Sequence, residues 1–68
     1  MQLSARNQLP GRISAIRTGS IMAEVDIELP GGLRVVAAIT RASVERLALE
    51  VGDEVSAVIK STDVMVAK

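Results

Sequence analysis

Apolar and polar residues alternate through the stretch IMAEVDIEL, residues 21 to 29. Ile21, Ala23, Val25, Ile27 and Leu29 share one face, and Met22, Glu24, Asp26 and Glu28 the other. A period of two marks a strand buried on one side. The PGG that follows, Pro30 to Gly32, is turn chemistry, with two glycines free to take positive φ. LRVVAAIT then resumes the alternation, with Leu33, Val35, Ala37 and Ile39 inward. The two segments predict a β-hairpin. The outer face of its second strand carries Arg34, Val36, Ala38 and Thr40, and its apolar half predicts cover by a second subunit.

GRISAIRTG, residues 11 to 19, reads as an earlier strand bounded by glycines. DEVSAVIK, residues 53 to 60, reads as a later one with Val55, Ala57 and Ile59 inward and Ser56, Val58 and Lys60 outward. TDVMVAK predicts a short last strand. Between the hairpin and DEVSAVIK, Thr40 is a suitable N-cap, Val44 and Leu47 fall three apart, and Gly52 closes the connection. This predicts one short helix over roughly residues 41 to 48. The fold class expected is all-β: a small five-stranded, OB-like Greek-key barrel with one short helix.

Composition changes this picture in one respect. The 68 residues make a single domain, 1–68, and a chain of this size buries only ~60% of its unfolded surface. Small scaffolds are often stapled by disulfides or zinc, but the chain has no Cys and no His. Apolar residues are 49% of it without one Phe, Tyr or Trp, more aliphatic side chains than so small a barrel encloses. The surplus predicts permanent subunit interfaces. Eight basic residues balance eight acidic ones, so no bulk field draws the protein to nucleic acid or to an anionic membrane. The longest apolar run, Val35 to Ile39, cannot span a bilayer, and no signal peptide is discernible. A soluble, cytoplasmic protein is expected.

Two stretches carry candidate chemistry. SARNQL (Ser4 to Leu9) and VIKSTDVM (Val58 to Met65) each combine hydroxyls with a cation. A tetrahedral dianion needs cations against its charge, directed donors in place of water, and few carboxylates nearby. Lys60 is a compact point charge beside the rotatable Ser61 hydroxyl, and Arg6 offers a fork of five donors close to Ser4 and Asn7. The predicted helix start would add free N–H groups flanked by the hydroxyls of Thr40 and Ser43. Each residue also has a plainer reading. Thr40 and Ser43 serve as helix caps, Lys60 and Arg6 as solvated surface cations, and Asp63 as a turn residue.

SARNQLPGRI near the start and VGDEVSAVIKSTDVMVA at the end, with ITRASVERLAL between, resemble the molbindin family, the small molybdate-binding Mop domains of TOBE and OB-like type. The resemblance runs over essentially the whole chain, and the pairing of SARN with IKSTDVM is specific. It implies a homo-oligomer, a hexamer built as a trimer of dimers, holding molybdate or tungstate at subunit interfaces. Ser4 and Arg6 would come from one subunit, and Thr40, Ser43, Lys60 and Ser61 from its neighbour. Asn7, Gly19 and Ser20 are further candidates, for a second oxyanion site near the threefold axis. The anion would be held through donors, with no protein-ligated metal and no organic cofactor.

The function expected is capture of molybdate or tungstate for intracellular molybdenum storage and homeostasis. With no His or Cys to serve acid–base or thiolate chemistry, an enzyme is not expected. The alternative from another class is an OB-fold nucleic-acid binder, which would need a basic groove and aromatic stacking platforms. A third reading is an assembly module in which the anion is only structural.

Overall fold

The computed structural model describes residues 4–68. Four antiparallel strands form one sheet in the order β3-β2-β1-β4: β1 Asn7–Thr18, β2 Met22–Glu28, β3 Arg34–Thr40 and β4 Glu54–Ile59. A single helical turn and a half, α1 Arg41–Arg46, joins β3 to β4. The hairpin read from the alternation is β2–β3. It is closed by the Leu29 amide donating to the Leu33 carbonyl at 2.7 Å, with Gly31 and Gly32 at φ of 86° and 79°. Those angles are what the PGG turn required.

Strand β1 curls the sheet into a half-barrel. Its first half, Asn7 to Arg12, pairs with β4, and its second half, from Arg12 to Thr18, pairs with β2. The strand is longer than expected and runs through Pro10 and Gly11. Residues 7 to 11 have a strand partner on one flank only, where a proline is tolerated. The change of partner is tight: a Cβ on Gly11 would lie 2.6 Å from the Glu28 carbonyl oxygen. Just beyond, the β1–β2 register slips between Ile13 and Ala15, a bulge that adds bend and twist. The Gly52 amide donates to the Ile13 carbonyl at 2.8 Å and the Ile13 amide to the Asp53 carbonyl at 3.0 Å, which fixes where β4 begins.

The core is wholly aliphatic: Ile13, at 1% exposure, with Ala23, Val25, Ile27, Val44 and Ala57. Val35, Ala37, Ile39 and Val55 pack against it but are only half-buried. They line an apolar opening of about 560 Å³ between β3 and β4, where the half-barrel is not closed.

Several expectations are corrected. The fifth strand is not formed among the described residues. After Lys60 the chain makes a 3-10 turn, Ser61–Asp63, and Val64 to Lys68 pair with no strand, with Met65 and Val66 almost fully exposed. Ile21 and Leu33 lie just outside the strands, so the alternation does not bury them. The helix ends at Arg46 and does not reach 48, and Leu47, its C-cap, is exposed. Asp26, read as outward and polar, is buried under Arg17.

Candidate functional site

The antiparallel register of β1 with β4 sets Asn7 opposite Ile59. Continued by one residue past the end of the ladder, that register brings Arg6 alongside Lys60. Ala5 is buried, while its neighbours Ser4 and Arg6 are exposed. The Asp63 amide donating to the Lys60 carbonyl at 2.9 Å forms the turn that presents Ser61. The outcome is a cleft of about 320 Å³ lined by Ser4, Arg6, Lys60, Ser61 and Thr62. Two cations and three hydroxyls face it, and no carboxylate lines it. Neither Arg6 nor Lys60 is engaged in an ion pair among the described residues. Both charges are therefore available to an anion.

Four of the six residues expected at the main site thus meet within one chain. The resemblance implies Ser4 and Arg6 from one subunit and Lys60 and Ser61 from another; within the single chain all four line one cleft. The cause is the β1–β4 pairing itself. Thr62 belongs to the same cleft and was missed, although it follows Ser61 directly in the KST run; one more hydroxyl in that run was the signal.

Thr40 and Ser43 are elsewhere. Thr40 pairs with Met22 on β2, at the far end of β1 from Asn7 and across the full width of the sheet from β4. The Thr40 hydroxyl caps the helix: Thr40 Oγ1 accepts from the Ser43 amide at 3.1 Å and lies 2.7 Å from Ser43 Oγ. The second-site candidates are not brought together either. Gly19 and Ser20 form the β1–β2 turn, closed by the Gly19 amide on the Met22 carbonyl at 2.7 Å. Asn7 sits at the opposite end of β1 and donates from Nδ2 to the Ile59 carbonyl at 3.2 Å.

Other charged features differ in kind from this cleft. The larger groove of about 800 Å³ beside Pro10, Gly11 and Pro30 is flanked by Glu28 and Glu54, whose charges oppose an anion, and its Arg12 is paired with Glu54 at 3.5 Å. On the outer face of β2, Arg17 holds Asp26 through two hydrogen bonds of 2.7 and 3.2 Å, with Arg34 3.8 Å away. The hydrogen bonds from Arg17 keep the Asp26 carboxyl below the usual carboxylate range, against the opposing effect of its burial. This pair is structural. Among the described residues no cluster of carboxylates is arranged to hold a metal ion.

Comparison with known proteins gives a consistent picture. The TOBE domain family matches residues 3–66. Molybdenum-pterin-binding protein 3 of Clostridium pasteurianum is 48% identical over 66 residues, covering 97% of each chain. The structure of a molybdate-binding protein from Sporomusa ovata superposes over 100% of both chains with a TM-score of 0.95 at 40% identity. A structure of the cytoplasmic molybdate-binding protein ModG with molybdate bound matches 90% of this chain and 43% of that one, with a TM-score of 0.86 at 43% identity. This chain is a member of the TOBE domain family, of the small Mop type to which its SARN and IKSTDVM motifs pointed.

Proposed function

We propose that this protein binds molybdate, and tungstate equally, as an intact oxyanion. The observation that carries the proposal is the convergence of Ser4, Arg6, Lys60, Ser61 and Thr62 on one cleft that no carboxylate lines. Relatives named for molybdate or molybdenum-pterin binding, similar over nearly the whole chain, support the same ligand. The bare oxyanion is favoured over a pterin conjugate, because a chain without aromatic side chains offers a ring no face to stack on. The role is capture for storage and homeostasis in the cytoplasm, with no chemical step. Nothing supports the nucleic-acid alternative.

The cleft is open in a single chain, and binding is completed by assembly. The apolar opening between β3 and β4, and the exposed tail with Met65 and Val66, are surfaces an isolated chain leaves in water. We infer a hexamer, built as a trimer of dimers, in which residues 64 to 67 supply the barrel's fifth strand and Thr40 and Ser43 approach the Arg6–Lys60 cleft from a neighbouring chain. Asn7 has a separate role, argued below. Gly19 and Ser20 remain the candidates for a second anion.

Titration calorimetry with molybdate, tungstate, sulfate and phosphate tests the proposal. A donor set matched to the larger anions leaves sulfate under-coordinated, and each unpaired buried donor costs about 1–3 kcal/mol. Two such losses make sulfate weaker by roughly 30-fold or more. Phosphate retains a proton that faces donors instead of an acceptor, and weakens further. Equal affinity for sulfate and molybdate would remove the assignment.

A further inference from the structure

We infer that Asn7 is the positioning residue of the oxyanion cleft and not one of its ligands. Asn7 is half-buried at the last rung of the β1–β4 ladder, directly after Arg6 in sequence and directly opposite Ile59, the residue before Lys60. Its side-chain amide reaches across the rung, Nδ2 donating to the Ile59 carbonyl at 3.2 Å. That bond ties together the two backbone segments that carry the cations at the point where the ladder ends. Terminal rungs fray, since only one neighbouring rung supports them. Without the clamp, Arg6 and the Lys60–Ser61 turn would each move independently, and the anion would have to order both segments as it binds. The cleft is lined by Ser4, Arg6, Lys60, Ser61 and Thr62 and omits Asn7, one of whose two Nδ2 hydrogens is already engaged.

The inference rests on the molybdate reading for its ligand, and the test separates the two. Asn7→Ala is compared with wild type and with Gly52→Ala, a variant strained at a φ of 97° outside the cleft, which serves as the control for lost stability alone. All three are titrated with molybdate and sulfate at a temperature where each is fully folded. Backbone order parameters of Lys60 and Ser61 are measured by NMR without ligand.

Asn7→Ala is expected to lose about fivefold in molybdate affinity, the equivalent of one net hydrogen bond, with unchanged stoichiometry. Its preference for molybdate over sulfate should narrow, and Lys60 and Ser61 should become more mobile. Gly52→Ala should lose stability while keeping affinity and preference. Two results overturn the inference: Asn7→Ala with wild-type affinity and preference, or Asn7→Ala losing a class of sites while the remaining ones keep their affinity, which would make Asn7 a ligand. Should wild type bind no molybdate, the functional reading falls and the order parameters decide the clamp alone. Unchanged values at Lys60 and Ser61 would then refute it.

Discussion

Arg6 and Lys60, on neighbouring backbone segments, make no ion pair among the described residues, and the proposed anion site should depend on them more than on its hydroxyls. Lys60→Ala should weaken molybdate binding by about tenfold to hundredfold, the range for losing a hydrogen bond to a charged group, as read by calorimetry. Asp26 gives a prediction of another kind. Its folded-state pKa is depressed, so its contribution to stability is complete above the unfolded value of about 3.9 and is lost as pH falls toward the folded value. In urea titrations the wild type should exceed Asp26→Asn in stability at pH 7, and the two should converge below about pH 4. Ser4, Arg6, Lys60 and Ser61 were legible in the sequence because the motifs carry all the donors and because the residues flanking them alternate. Asp26 and Asn7 were not. The first is buried by an arginine nine residues away and the second bonds a carbonyl 52 residues away, and neither partner is announced by local pattern.

At the scale of elements, the hairpin β2–β3 could be read directly, since the period of two and the PGG turn are both local signals. The first strand was recognised but cut short, because Pro10 and Gly11 look like punctuation until β1 is seen to change partners there. That crossing demands glycine. Gly11→Ala would push a methyl group against the Glu28 carbonyl and the Ile27 side chain, and should cost about 1–3 kcal/mol in equilibrium denaturation. The helix was legible from its cap, and Thr40→Ala should cost about 1 kcal/mol. The last strand was expected from the stretch TDVMVAK. A strand exists only with a partner, and among the described residues the tail pairs with none.

For the whole molecule, that absence predicts association. Deleting residues 64 to 68 should convert the assembly to smaller species in analytical ultracentrifugation, whereas a full-length chain that stays folded and monomeric when dilute would refute the hexamer. The register of β1 with β4 has a consequence in time as well as in space. Asn7 and Ile59 are 52 residues apart, while Glu28 and Arg34 at the head of the hairpin are six apart. Closing the longer loop costs more entropy before any contact repays it, so the hairpin should nucleate folding and β4 should join late. Arg6 and Lys60 would then meet only after the transition state has passed. Molybdate should accordingly slow unfolding while leaving the refolding rate unchanged, so that in a chevron plot the ligand moves one arm only. A chain emerging from the ribosome could not hold its anion until the residues through Thr62 had been added.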